Sequence, residues 1–344
     1  MSNAMTSVSR ERTARMEIEV SDITMGTVVQ TETCYFTGGL CAHPLNDGHL
    51  LLAPVGVDDK ELIGYRLTWP AVLEAAKEAG CVMAGVNQRH DTGKPTRSEV
   101  WRPDVPTSGQ QLHAGDSWAA LSHVARVSGD QQFADLARYV SVSVHAAGVR
   151  LRELADAHHE QLRWALIEGK KPGVRFSNTA MADVHLAFHS LAGELYSARD
   201  YLAHIAAVGC CAHEKVDGMG RLEEWLAKSA NAAAHDNPLV ALLFANMGTT
   251  DAPGWLRILG EFRNTVMHRQ PMRANPAAGG LSVAGTITHA GPIRTIRLVP
   301  MNDTTQGPDP FVEIVGLYKR FETLAIEATA RVRYNVDLPR VIGK

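Results

Sequence analysis

An arginine, an asparagine and a histidine lie close together in residues 255–269. They are the residues of the chain whose types and spacing are best suited to catalysis. Arg263 and Asn264 are adjacent, and His268 follows four residues after Asn264. An imidazole titrates near neutral pH and therefore suits proton transfer. A guanidinium presents a planar set of donors to phosphate oxygens. Together these residue types indicate acid–base chemistry beside a phosphate group.

The same segment is predicted to form a helix from residue 254 to about residue 270, ended by Pro271. At about 100° per residue, Arg257, Asn264 and His268 project from one side, and Arg263 lies on the shoulder. Asn264 and His268 are neighbours because they are four residues apart. The opposite, apolar face is predicted to consist of Trp255, Ile258, Leu259, Phe262 and Val266.

The run from Arg263 to His268 resembles the signature of the HEPN family, the higher eukaryote and prokaryote nucleotide-binding helical bundles. That signature is an arginine, a polar residue and, a few positions on, a histidine, placed on a late helix of a four-helix bundle. Residues 194–202 are similar to the opening helix of the family, and the resemblance covers about residues 176–335. It implies a homodimer in which two such motifs face a shared cleft, and RNA cleavage without a metal.

The resemblance also implies a role for each site residue. The ribose 2′-hydroxyl attacks the phosphate and leaves a 2′,3′-cyclic phosphate, with His268 in proton transfer, Arg263 in charge stabilisation and Asn264 in orientation. A toxin or defence effector is the biological role that it suggests. The expected RNA-binding residues are Arg257, Arg269, Arg273 and Arg199.

Two alternatives stay open. The arginine–histidine interval also occurs at Arg199 and His204, and His268 with Arg269 in a last helical turn would complement the helix dipole without any other function. The first alternative is a non-catalytic dimerisation module that binds a nucleotide, an antitoxin or another protein. The second alternative places the function in the N-terminal part of the chain.

No metal or cofactor is expected. His185 and His189 are four residues apart, but the HExxH zinc signature and a third ligand are absent. The chain has neither a GxGxxG loop nor a GK[ST] phosphate loop. Five cysteines without a CxxC pair argue against a disulfide framework and favour the reducing cytoplasm.

Charge and hydropathy exclude further classes. The 34 basic and 37 acidic residues give a net charge of −3, which is not the footprint of tight, non-specific binding to long nucleic acid. No apolar run is long enough to span a bilayer, and no secretory leader is recognisable, so a cytoplasmic protein without membrane contact is expected. Residues 1–4 resemble a tag-cleavage scar and are excluded from the fold prediction.

A mainly α fold is predicted from the order of elements. Residues 1–115 are expected to form a small mixed α/β unit of unknown role, with strands in 16–55, a helix over 68–79 and a long loop over 87–115. Residues 116–344 are expected to be helical. They contain a four- to five-helix bundle at about 176–335 with a β-hairpin inserted at 281–300.

The two longest helices are predicted at 130–168 and 178–210, because apolar residues recur there at spacings of three and four. Shorter helical segments are predicted at 221–247, with an interruption before Pro238, and in a last helix after the hairpin.

Overall fold

In a computed structural model of the chain, residues 29–91, 97–103, 113–264, 280–299 and 309–335 are described. Residues 29–91 and 97–103 contain a six-stranded antiparallel sheet with the strand order β4-β3-β2-β1-β5-β6. Helix α1 (Trp69–Glu78) connects β4 to β5. The strands are β1 (Val29–Phe36), β2 (Cys41–Pro44), β3 (Leu50–Asp58), β4 (Glu61–Leu67), β5 (Met83–Asp91) and β6 (Arg97–Arg102).

A tight turn over Thr37–Gly39 connects β1 to β2 and brings the sheet against the helical part. Gly38 and Gly39 both have positive φ angles, 81° and 82°, which residues with a β-carbon rarely adopt. A β-carbon on Gly39 would lie 2.6 Å from the β-carbon of Leu162. Glycine is therefore required at this turn both by its backbone conformation and by its close contact with a helix.

The helical part is built around two long helices that pack on each other. They are α3 (Gln131–Ile167) and α4 (Met181–Gly209), and α2 (Ala114–Val127) packs on α3. Asp130 begins α3 by accepting a hydrogen bond from the N–H of Phe133 at 3.2 Å, and Gly169 follows its end. The remaining helices are α5 (Met219–Leu226), α6 (Pro238–Met247), α7 (Trp255–Asn264) and α8 (Pro310–Thr329).

Helix α3 is the centre of the molecule, because it is buried on two sides. One side faces α2 and α4, and the other contacts strands of the six-stranded sheet and its Thr37–Gly39 turn. His158 lies on this helix, fully buried, with its ring centroid 4.9 Å from that of Phe311. A single cluster of buried apolar side chains runs from the sheet through α3 to α8.

A second, three-stranded sheet follows the order β7-β8-β9, with β7 (Arg175–Phe176), β8 (Leu281–Thr288) and β9 (Gly291–Leu298). The β8–β9 hairpin is present where the sequence predicts it. It packs against β3, α1 and the Thr37–Gly39 turn, and the hydroxyl of Tyr65 on β4 donates to the carbonyl of Pro292 at 2.9 Å. The hairpin thus contacts the N-terminal sheet as well as the helices.

Helix α8 completes the core beside α2. The buried indole of Trp118 donates to the carbonyl of Ala325 at 2.9 Å, across 207 residues of sequence. Nε2 of His113 lies 2.9 Å from Oε1 of Glu322, and both side chains are buried. These contacts join the start of the helical region to its last described helix.

The predicted fold class, mainly α with a small N-terminal unit, is wrong. The fold is mixed, because a six-stranded and a three-stranded sheet accompany the helices and share their hydrophobic core. The prediction of a long loop over residues 87–115 is also wrong for the part of this range that the structure describes, because the range contains most of β5 and all of β6. Gln88 on β5 is a polar residue that is nevertheless buried, because it donates to Glu32 at 2.7 Å and accepts from Arg102 at 2.9 Å.

Candidate functional site

Helix α7, which carries Arg263 and Asn264, is fixed at its start by contacts with α6. The N–H of Gly254 donates to the carbonyl of Met247 at 2.8 Å. The indole of Trp255 donates to the side chain of Asn246 at 2.7 Å. These two hydrogen bonds set the direction in which α7 leaves α6.

The buried face of α7 is rotated relative to the sequence prediction. Leu256, Leu259 and Gly260 are buried and pack toward α4. The prediction that Ile258 lies on the core face is wrong, since 44% of this residue is exposed. The rotation brings Arg263, three residues after Gly260, closer to α4 than the predicted shoulder position.

Arg263 and Asn264 are brought together beside Tyr196 of α4. The Cζ atom of Arg263 lies 4.6 Å from the centroid of the Tyr196 ring, and its Nη1 donates to Oδ1 of Asn264 at 3.1 Å. Both site residues are half-buried. A cation over an aromatic face gains about 0.5–2 kcal/mol and loses freedom of movement. The guanidinium is therefore held in a defined position within a residue that is half-buried as a whole.

Arg199, expected to contact RNA, lies near the same Tyr196 ring, with only 6% of its surface exposed. Its Nη2 and Nε donate to Oδ1 of Asp200 at 2.9 and 3.1 Å. Its Cζ is 4.1 Å from the centroid of the same Tyr196 ring. A buried charge needs such a partner, so an RNA contact by Arg199 would require it to leave Asp200.

Arg257, also expected to contact RNA, is paired with Glu223 of α5. Nη2 lies 2.6 Å from Oε1 and Nη1 lies 3.3 Å from Oε2, so the pair is bidentate. Hydrogen bonding to Glu223 raises the pKa of Arg257 above its usual range. This arginine fixes α7 against α5, and binding of a phosphate would compete with the carboxylate.

The remaining predicted site residues, His268, Arg269 and Arg273, lie outside the described residues, as does Val266. The structure thus places Arg263, Asn264, Arg257 and Arg199, and it brings the first two together. Tyr196 was not assigned a role from the sequence. Its position three residues before Arg199 on a predicted helix was the available signal, because residues three apart share a helix face.

A cysteine–histidine pair that the sequence did not suggest lies between the sheet and α3. Sγ of Cys41 is 3.2 Å from Nδ1 of His159, and the same nitrogen lies 2.9 Å from the carbonyl oxygen of Gly39. Burial raises the pKa of the Cys41 thiol well above its usual range. A neutral, buried thiol beside a nitrogen that already serves a carbonyl is not an activated nucleophile. This pair is structural.

Within the described ranges, one group of three side chains has metal-ligand atoms that all lie within 4.8 Å of one another: Glu74, Glu78 and His289. The pair singled out in the sequence, His185 and His189, is not part of such a group. Burial, and then the neighbouring His185, lowers the pKa of His189. In the part of the chain that the structure describes, the side chains placed to share a metal ion therefore lie on α1 and at the hairpin, and not at His185 and His189.

Comparisons of the chain with protein-family models, with curated proteins and with solved structures found no match. Among the helices that the structure describes, none is both long enough and apolar enough to cross a membrane. The features that bear on function are therefore the contacts of Arg263 with Asn264 and Tyr196.

Proposed function

We propose that the chain is a metal-independent endoribonuclease of the HEPN type that acts as a homodimer in the cytoplasm. The observation that supports this most directly is the Arg263–Asn264 pair, hydrogen-bonded at 3.1 Å and half-buried, with its guanidinium placed over Tyr196. A cation positioned in advance is what stabilisation of a developing phosphorane charge requires. His268 follows four residues later in the sequence and supplies the imidazole.

In the proposed reaction, one imidazole removes the proton of the ribose 2′-hydroxyl, and the oxygen attacks the adjacent phosphorus. The bond from phosphorus to the 5′-oxygen breaks, and that oxygen takes up a proton. The products carry a 2′,3′-cyclic phosphate and a 5′-hydroxyl. Arg263 donates to the non-bridging oxygens as their charge grows, and Asn264 orients the imidazole. In a dimer, His268 and His268 of the partner subunit divide the roles of proton acceptor and proton donor.

The second candidate is a non-catalytic module that binds a nucleotide or a partner protein such as an antitoxin. One observation favours it: Arg257 and Arg199, two of the arginines expected to contact RNA, are paired with Glu223 and Asp200. Those carboxylates reduce the positive potential that a phosphate backbone would meet. If the chain is a ribonuclease, its biological role would be that of a toxin or defence effector. If it is a binding module, its role would be that of a scaffold.

The test is RNA cleavage by purified protein in EDTA, with wild type compared with Arg263→Ala and His268→Ala. Arg221→Ala is the matched control, because Arg221 is an exposed arginine on α5 paired with Asp217. We expect the wild type and the control to leave 2′,3′-cyclic phosphate ends, identified by mass spectrometry. Both site variants should lose at least a hundredfold in rate while keeping the circular dichroism spectrum of the wild type.

Equal cleavage by wild type and both site variants would assign the activity to another site or to a contaminant. Absence of cleavage by the wild type would leave the binding module as the better account. In that case, the oligomeric state measured by light scattering decides whether the helices dimerise.

A further inference from the structure

The tip of the β8–β9 hairpin is held against α1 by acidic residues. His289 occupies the turn between the two strands. Its backbone N–H donates to Oε2 of Glu78 at 2.8 Å, and its Nδ1 lies 3.0 Å from the same oxygen. Its other ring nitrogen, Nε2, lies 4.0 Å from Oε2 of Glu74. Both glutamates belong to one face of α1, because they are four residues apart.

Contacts on two sides hold the hairpin tip, and the carboxylate of Glu78 favours the tautomer of His289 that carries its proton on Nδ1. The hydrogen bond from Tyr65 to the carbonyl of Pro292 holds the hairpin from the β4 side, and Glu78 holds it from the α1 side. Because Nδ1 donates to a carboxylate, the neutral ring carries its lone pair on Nε2. A carboxylate that fixes a histidine through Nδ1 so that Nε2 can bind a metal is a common arrangement in zinc sites.

The donor set matches a divalent transition-metal ion. An imidazole nitrogen and carboxylate oxygens bind Zn²⁺ at about 2.0–2.2 Å, which places two ligand atoms of a tetrahedral ion roughly 3.3 Å apart. Nε2 of His289 and Oε2 of Glu74 lie 4.0 Å apart. Glu74 is exposed, so its side chain can close the difference by a small rotation.

We propose that His289, Glu74 and Glu78 form a binding site for a divalent transition-metal ion of the zinc class. Nε2 of His289 and the carboxylate of Glu74 bind the ion directly, Glu78 holds the imidazole, and water completes the coordination. The bound ion connects the three-stranded sheet to α1. This site is separate from the proposed ribonuclease residues, and its occupation is structural.

The test is calorimetric titration of Zn²⁺ into full-length protein freed of metal with EDTA, for wild type and Glu74→Gln. The substitution removes a direct ligand and leaves both contacts between His289 and Glu78 in place. The matched control is Asp47→Asn, since Asp47 lies 3.2 Å from His49 in another exposed histidine–carboxylate pair. This control is needed because fifteen histidines and five cysteines offer other places for zinc.

We expect Glu74→Gln to lose one equivalent of zinc or to bind it at least tenfold more weakly, while Asp47→Asn matches the wild type. Paramagnetic Co²⁺ should broaden the backbone NMR signals of residues 288–291 in wild type and not in Glu74→Gln. The proposal is overturned if wild type and Glu74→Gln bind zinc with the same stoichiometry and affinity, or if the broadening is centred elsewhere.

Discussion

Arg199 of α4 lies directly against Gly260 of α7: a β-carbon on this glycine would come within 2.3 Å of Nη1 of Arg199. The two helices therefore approach each other at the point where one of them carries a buried, paired guanidinium. Arg263 follows Gly260 by one helical turn and shares the Tyr196 ring with Arg199. The position of the candidate site depends on this close approach.

Substitution of Gly260 by alanine is expected to destabilise the protein although alanine favours helices. Helix propensity alone would raise the free energy of unfolding by about 1 kcal/mol. Overpacking against Arg199, which Asp200 holds in place, costs about 1–3 kcal/mol, so a net loss of roughly 1 kcal/mol is expected. Urea unfolding followed by circular dichroism measures the difference.

The matched control for this prediction is Gly193→Ala on α4, where the added carbon would meet no heavy atom within 4 Å apart from the neighbouring backbone of its own helix. This variant should be more stable than the wild type by about 0.5–1 kcal/mol. If both alanine variants stabilise the protein equally, α4 and α7 do not approach as closely as the contact at Gly260 indicates.

Tyr196 is expected to position Arg263 through its ring and not through its hydroxyl. Tyr196→Phe keeps the aromatic face and should retain stability and RNA cleavage. Tyr196→Leu loses the contact with two guanidinium groups, for an expected loss of about 1–2 kcal/mol in the free energy of unfolding. In RNA cleavage, Tyr196→Leu should lower kcat more than it raises KM, because a displaced Arg263 loses contacts made in the transition state.

Unfolding measurements keep this prediction independent of the proposed activity. The comparison pair is Tyr139→Phe and Tyr139→Leu, because Tyr139 is exposed and its ring contacts Tyr201. Equal losses of stability at positions 196 and 139 would show that the guanidinium contacts contribute nothing specific.

Acidification is expected to destabilise the protein through His158. Complete burial, and secondarily the neighbouring His159, lowers the pKa of His158 to about 3. Between pH 6.5 and 3 the unfolded chain therefore binds a proton that the folded chain does not. As a result, the free energy of unfolding falls by up to about 1.4 kcal/mol for each unit by which the pH is lowered. Above pH 6.5 this contribution to stability is fully present.

His158→Leu removes the titrating group, so its free energy of unfolding should fall less than that of the wild type between pH 7.5 and 5.0. Urea unfolding at both pH values gives the comparison. His123→Leu is the control, because His123 is an exposed histidine on α2. A wild-type loss that persists unchanged in His158→Leu would assign the acid sensitivity to other groups.

The long helices were predictable because their signal is local. Apolar residues at spacings of three and four identify α3 and α4 to within a few residues at each end. The hairpin at 281–300 was predictable for a similar reason, since two alternating segments flank a short turn. These patterns depend only on neighbours along the chain.

The sheet was underestimated because its polar residues find partners far away in sequence. Gln88 looks like a loop residue, but its partners Glu32 and Arg102 lie on the two neighbouring strands. The candidate site shows the same limit. Residue type alone indicates a phosphate contact for Arg257, whereas its pairing with Glu223 depends on how α5 and α7 are arranged.

The contact between Trp118 and Ala325 has a consequence for synthesis of the protein. A ribosome adds about 5–20 residues per second, so the 207 residues that separate the two require roughly ten to forty seconds. During that time the indole of α2 emerges without its carbonyl acceptor, and the apolar surface that α8 covers stays open. The nascent helical region therefore lacks part of its hydrophobic core until its last described helix is made.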